Sequence, residues 1–192
     1  STVNGGGGVD TIFTGAGADT IDGGSGKDVI NSGSGNDTVN GGADDDTIDF
    51  SGNFTIKDSV DGGDGTDTLT LNNTDATTLG AYSLGQINTM NGRISNIEKV
   101  SFGTTLAQTI DMGRVDSISD VIIGNLAGDS GLSGLAATNN VQILATTGQT
   151  LSLALADATG TADVANIQLT SDAVINANTI TASDIETVNI NG

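Results

Sequence analysis

Between Gly5 and Asp49 the chain repeats every nine residues without a slip. Asp recurs at positions 10, 19, 28, 37 and 46, and an aliphatic residue follows two places later, at 12, 21, 30, 39 and 48. The blocks open on small residues: Gly5-Gly6-Gly7-Gly8, Thr14-Gly15-Ala16-Gly17, Gly23-Gly24-Ser25-Gly26, Ser32-Gly33-Ser34-Gly35 and Gly41-Gly42-Ala43-Asp44. A sixth block, Gly62 to Thr70, follows an interruption from Phe50 to Asp61. Val3 stands nine residues before Ile12, so the array is already under way at the first residue, which reads as a fragment of a longer repeat protein. A short fixed period of this kind restricts the fold to a stack of near-identical coils.

Each block divides into a six-residue turn and a three-residue strand. Gly supplies the positive-φ conformations of the turn. The middle strand residue points inward: Val3, Ile12, Ile21, Ile30, Val39, Ile48 and Leu69. Two blocks close one coil of 18 residues in a flattened parallel roll, and successive turns alternate between its two edges. Blocks one, three and five share one edge, and two and four the other. This register pairs Asp10 with Asp28, Asp28 with Asp46, and Asp19 with Asp37.

One aliphatic in nine makes a thin core, and the charge opposes folding. Residues 1–71 hold 13 Asp against two Lys, a net −11, and the whole chain of 192 residues carries −19. Such acidity with 3% aromatic residues reads by default as disorder. The strict register points instead to a compensating hard cation, because Asp oxygens and backbone carbonyls are nearly the only ligands on offer. Stacked strands lie about 4.8 Å apart. Calcium sits about 2.4 Å from each oxygen ligand. One ion therefore fits between two stacked turns and bonds to both.

Other classes drop out. Without His or Cys the chain cannot build zinc or haem sites or use His or Cys catalysis, and no catalytic set is present, so the chain is not expected to be an enzyme. Five Lys and Arg give no basic surface for nucleic acid. No apolar run approaches the roughly 20 residues of a membrane span, and no signal peptide opens the chain. An EF-hand loop, a collagen period and a phosphate-binding Gly-Lys-Ser/Thr loop are all missing. The absence of Cys does not fix the compartment.

The Gly-Gly-x-Gly-x-Asp-x-aliphatic-x block resembles the nonapeptide of the RTX (repeats-in-toxin) calcium-binding proteins, over about the first 71 residues. The resemblance implies that each ion takes both motif Asp residues, the second and fourth carbonyls of the lower turn, and the first and third of the upper. One site would then combine Gly6, Gly8 and Asp10 with Gly23, Ser25 and Asp28. The next would combine Gly24, Gly26 and Asp28 with Gly41, Ala43 and Asp46. On the opposite edge Gly15, Gly17 and Asp19 would meet Ser32, Ser34 and Asp37. Asp44 replaces the fourth Gly of its block, which counts against a further site above it. The path of 50–61 leaves two alternatives for Gly62, Asp64 and Asp67. If the segment loops out, the reading favoured here, Asp67 pairs with Asp37 and the upper face of that turn, with Gly33 and Gly35, is used again. If it contributes a half coil, Asp67 stacks on Asp46. At least three calcium ions are expected in residues 5–67.

Residues 72–192 have a different texture. Gly falls from 17 to 12 across a longer stretch, and Thr, Ala, Asn, Leu and Ile take over. Short alternating runs at Ile97–Phe102, Val121–Ile123, Val141–Leu144, Leu151–Leu155, Ile167–Leu169 and Val188–Ile190 read as strands. They fit an irregular solenoid stacked on the open end of the roll in preference to a sandwich. A short helix is expected near Ala81–Met90. The fold class is thus all-β, a parallel β-roll continuing into an irregular β-solenoid-like region. The two domains are 1–71, with its interruption at 50–61, and 72–192.

Ser95-Asn96-Ile97-Glu98-Lys99-Val100 and Ser183-Asp184-Ile185-Glu186-Thr187-Val188 are near copies. They read as strands with Ile and Val inward and Glu exposed. A Gly-Gly-x-Gly-Thr-Asp-Thr-Leu block followed by an Ile-Glu-x-Val strand, in a Cys-free, Lys-poor chain, is similar to RTX-bearing bacterial surface-layer (S-layer) proteins. That second resemblance implies an exported, calcium-dependent segment that packs against copies of itself at the cell surface, with its anchor elsewhere. The competing expectation is an RTX folding module of a secreted toxin, exoenzyme or adhesin.

Overall fold

The computed structural model describes residues 1–80, 93–107, 109–112, 118–126, 130–135, 139–144, 150–155, 164–169, 179–182 and 187–191. The repeat array forms eight strands: β1 (Thr2–Gly7), β2 (Thr11–Phe13), β3 (Thr20–Ser25), β4 (Val29–Asn31), β5 (Thr38–Ala43), β6 (Thr47–Asp49), β7 (Ser59–Asp64) and β8 (Thr68–Leu71). Helix α1 (Asn73–Gly80) follows, then β9 (Ile94–Ser95), β10 (Lys99–Leu106), β11 (Thr109–Asp111) and β12 (Asp120–Leu126). The chain continues through β13 (Ser130–Leu135), β14 (Asn140–Ile143), β15 (Thr150–Leu155), β16 (Val164–Leu169), β17 (Thr179–Ala182) and β18 (Thr187–Asn191).

Among the described residues every strand pair is parallel, and each strand bonds to the equivalent strand of the next coil. Odd-numbered strands β1 to β9 form one sheet, and β11, β13, β15 and β17 a second. The even-numbered strands form one nine-stranded sheet from β2 to β18. A parallel sheet built by winding is a solenoid, since a sandwich of the immunoglobulin kind pairs its strands antiparallel. The expected fold class holds: a β-roll passes into a solenoid through one shared sheet.

The register is 18 residues per coil at first, with Thr2 opposite Thr20 and Thr20 opposite Thr38. It then widens to 21, with Thr38 opposite Ser59 and Thr47 opposite Thr68. Residues 50–61 therefore do not loop out. The interruption is a turn, 50–58, three residues longer than its predecessor, and Ser59 to Asp64 is an in-register strand. Asp67 accordingly stacks on Asp46, and the favoured pairing with Asp37 is incorrect. The strands also alternate in length. β1, β3, β5 and β7 run six residues, because the ladder continues from the motif strand into the next turn (Gly6 opposite Gly24, Gly7 opposite Ser25).

Ile12, Ile21, Ile30, Val39, Ile48, Val60 and Leu69 form the buried spine of the roll, and Val3 is partly buried against it. Beyond α1, β10, β12 and β14 contribute two inward residues each: Val100 and Phe102, Val121 and Ile123, and Val141 and Ile143. The expected helix near Ala81–Met90 lies outside the described residues. The observed helix comes earlier. Asn72 caps it, its Oδ1 accepting from Thr74 N (2.7 Å) and Asp75 N (3.3 Å), while Asp75 Oδ2 accepts from Asn72 N (2.8 Å). This reciprocal pair is a capping box with Asp in the Glu position. The same Asp75 carboxylate also accepts from Gly52 N (2.7 Å) and Phe54 N (3.0 Å), pinning the enlarged turn to the helix. Phe50 and Phe54 fill the space beneath it, edge to face at 5.6 Å.

Candidate metal centre

The turns stack in two columns. The first edge carries 5–10, 23–28, 41–46 and 62–67, and the second 14–19, 32–37 and 50–58. Within each six-residue turn the second and fourth positions hold positive φ: Gly6 and Gly8, Gly15 and Gly17, Gly24 and Gly26, Gly33 and Gly35, Gly42 and Asp44, Gly63 and Gly65. Asp44 keeps this rule without being Gly, at φ 79°, and its carbonyl lies under Gly65 as Gly8 O lies under Gly26. The departure from the motif therefore preserves the turn. Asp is among the few residues that enter this region at modest cost.

The carbonyls of each column face into the gaps between turns. Gly6 O and Gly8 O lie against Gly24 and Gly26 of the turn above. From that upper turn, Gly23 O faces down onto Gly5, and Ser25 O accepts from Gly8 N at 2.8 Å. The second edge repeats this, with Gly15 O and Gly17 O under Gly33 and Gly35.

The motif carboxylates form two continuous ladders. On the first edge Asp10 N donates to Asp28 Oδ1, Asp28 N to Asp46 Oδ1 and Asp46 N to Asp67 Oδ1, each at 2.8 Å. On the second edge Asp19 N donates to Asp37 Oδ1 (2.9 Å) and Asp37 N to Asp58 Oδ1 (2.7 Å). The second oxygen has no such partner. Oδ2 of Asp10, Asp19, Asp28, Asp37, Asp46 and Asp67 is buried without a hydrogen bond. An unpaired buried carboxylate oxygen is costly and calls for an ion or a donor. The protein's own cations supply little. Among the described residues the Ser1 ammonium pairs with Asp19, and Lys27 pairs with the exposed, non-motif Asp45 at 2.5 Å.

Electrostatics follow from this crowding. Burial, with the neighbouring Asp67 and Asp28 carboxylates adding to it, pushes Asp46 up to about 6 from an ordinary 3.8. Burial raises Asp58, and burial together with Glu98 raises Asp67. Among the described residues no three Asp, Glu, His or Cys side chains cluster. Each gap is instead lined by two carboxylates and main-chain carbonyls, a donor set of hard oxygens that suits calcium and fits none of the softer metals.

Two residues of the ladders escaped the sequence reading. Asp58 occupies the motif position of the enlarged turn, and the signal was legible: Asp58-Ser59-Val60-Asp61-Gly62-Gly63 repeats Asp37-Thr38-Val39-Asn40-Gly41-Gly42. Glu98 is half-buried rather than exposed, and its Oε2 accepts from Asp67 N at 2.8 Å. Its neighbours Ile97 and Val100 point inward as expected. The second echo strand, from 183, lies partly outside the described residues.

Stacked glycine turns, in-phase aliphatics and a carboxylate ladder define a calcium-binding parallel β-roll. The family model of the RTX calcium-binding nonapeptide repeat (four copies) matches residues 4–39, 22–53 and 57–73. That segment of the chain is an RTX repeat array, and it binds calcium. No curated protein is a significant match to the chain. RTX repeats typify exported extracellular proteins, in which the roll is a structural calcium-binding module. Among the described residues no helix is long and apolar enough to cross a membrane.

Proposed function

We propose that this chain is the calcium-dependent structural segment of an exported bacterial S-layer protein, in which the ions order residues 1–71 and the ordered coil packs against copies of itself. In this reading one ion lies in each gap of the two columns. Asp10 and Asp28 share one ion with Gly6 O, Gly8 O, Gly23 O and Ser25 O. Asp28 and Asp46 share the next, with Gly24 O, Gly26 O, Gly41 O and Ala43 O. A third lies between Asp46 and Asp67, with the carbonyls of Gly42, Asp44, Gly62 and Asp64. On the second edge Asp19 and Asp37 share an ion with Gly15 O, Gly17 O, Ser32 O and Ser34 O. Gly33 and Gly35 turn toward 50–58 instead of 62–67. The row of buried, unpartnered Oδ2 atoms carries the assignment.

The surface-layer part rests on the order of motifs and on composition. A Gly62-Gly63-Asp64-Gly65-Thr66-Asp67 block leads to the Ile97-Glu98-Lys99-Val100 strand in a chain free of Cys and rich in Thr, Ala and Asn. Residues 72–192 would supply the apolar-cored body and 1–71 the metal-ordered part. Electron microscopy of the purified chain tests the lattice. Ordered two-dimensional arrays are expected in millimolar calcium and not in EGTA. Monodisperse particles in both would favour a folding module of a secreted toxin, enzyme or adhesin.

A pH dependence follows from Asp46. Its raised value means that, between about pH 4 and 6, the metal-free roll holds a proton that the unfolded chain has released. The metal-free fold therefore loses stability as pH rises through that window. The protonated carboxyl is a poor calcium ligand. Calcium affinity should fall as pH is lowered from 7 to 5, while β content in EGTA rises. Calcium titrations followed by circular dichroism at each pH check both trends, and a flat affinity across the window contradicts the site.

A further inference from the structure

We infer that the first edge carries a further cation site beyond the repeat array, between turn 62–67 and residues 96–98, held by Asp67, the Asn96 carbonyl and Glu98. The inference rests on the calcium reading above. The repeat match ends at residue 73, and residues 96–98 have neither the glycines nor the length of a motif turn.

The geometry nevertheless continues the column. A Cβ at Gly5, Gly23 or Gly41 would run into two oxygens, the Oδ2 of its own turn's Asp and the first carbonyl of the turn above. At Gly62 the same pair converges: Asp67 Oδ2, 2.6 Å from that position, and Asn96 O. Asp67 is fully buried, and this Oδ2 has no hydrogen-bond partner. Above it, Glu98 Oε2 accepts Asp67 N at 2.8 Å, as Asp67 Oδ1 accepts Asp46 N. Glu98 therefore fills the place of the next motif Asp, its extra methylene offsetting a turn three residues shorter. Asn96 sits at φ 51°, and its Nδ2 donates to Asp61 Oδ1 at 2.7 Å, which ties this turn to the coil below.

The second edge ends differently. Asp58 Oδ1 accepts from Asp37 N and its Oδ2 from Thr55 N (2.6 Å), so no buried oxygen is left over. The two columns thus end unlike each other, one on protein donors and the other on a gap with two carboxylates and a carbonyl, a hard-oxygen set suited to a divalent calcium ion.

The test counts calcium bound to the full 192-residue chain by native mass spectrometry. Wild type is compared with Glu98→Gln, which keeps an acceptor for Asp67 N, and with Gly62→Ala, whose Cβ fills the gap. Circular dichroism in millimolar calcium verifies folding. Each folded variant should carry one ion fewer than wild type. An unchanged count and unchanged affinities in the folded variants would overturn the site. Failure of both to fold in saturating calcium would overturn it too, since a last, peripheral ion should not carry the coils below. If wild type binds no calcium at all, the underlying reading fails rather than this extension of it.

Discussion

In EGTA the amides of residues 5–71 should exchange freely, and millimolar calcium should protect them. The cause is the composition of the coil. A net −11 is confined to 71 residues of which 17 are Gly, and the two columns bring these carboxylates into register. Ordering glycine costs more backbone entropy than ordering any other residue. The spine contributes one medium-sized aliphatic per nine residues, which is too little burial to offset that cost. Binding of the ion must then supply the folding free energy. Extracellular calcium modules work at Kd values of about 10⁻⁴–10⁻³ M, so the array should stay unfolded at cytosolic calcium and fold outside the cell. β10, β12 and β14 bury two apolar side chains each, including Phe102, and should depend less on the ion. Hydrogen exchange of the whole chain with and without calcium separates the two behaviours. Full protection of the 5–71 amides in EGTA would refute the calcium switch.

Asp28→Ala should cost more than Asp10→Ala, although the two residues occupy equivalent motif positions. Asp28 lies between two gaps. Its Oδ1 accepts from Asp10 N, its own N–H donates to Asp46 Oδ1, and its unpartnered Oδ2 faces the gap above. Truncation removes a carboxylate from two proposed sites and strands the Asp10 N–H. One stranded donor alone costs about 1–3 kcal/mol, or roughly fivefold to somewhat over a hundredfold in an equilibrium. Asp10 touches only the lowest gap and is more exposed. Calorimetric calcium titration should show Asp28→Ala losing up to two ions and Asp10→Ala one. Equal losses would argue against shared carboxylates.

The sequence made some of this legible and concealed the rest, for physical reasons. The register of Asp and aliphatic residues gave the coil directly, because a nine-residue period leaves one way to stack turns. The path of 50–58 was harder, since a turn can absorb three residues without disturbing the strands, and periodicity alone does not distinguish that from a loop. The Asp58 motif could have decided it. Glu98 was hidden differently. Its 31-residue separation from Asp67 replaces the 18-residue spacing, and α1 lies between them. In the C-terminal region, β10, β12, β14, β15, β16 and β18 announced themselves by alternation. The shorter β11 and β17 and the Gly-containing β13 lack a clear period and were not anticipated.

The carboxylate ladder has a direction. On the first edge every motif amide, from Asp10 to Asp67, donates to an acid later in the chain. A first-edge turn therefore cannot satisfy its own motif amide, which is met only when the next coil is in place. The main chain bonds the other way: Val29 N, Thr47 N, Thr68 N and Lys99 N each donate to the carbonyl of the motif Asp one coil earlier, so neighbouring coils complete each other. Removing the terminal coil at either end of the column should therefore expose polar groups on one neighbour and leave the remaining coils bonded to each other.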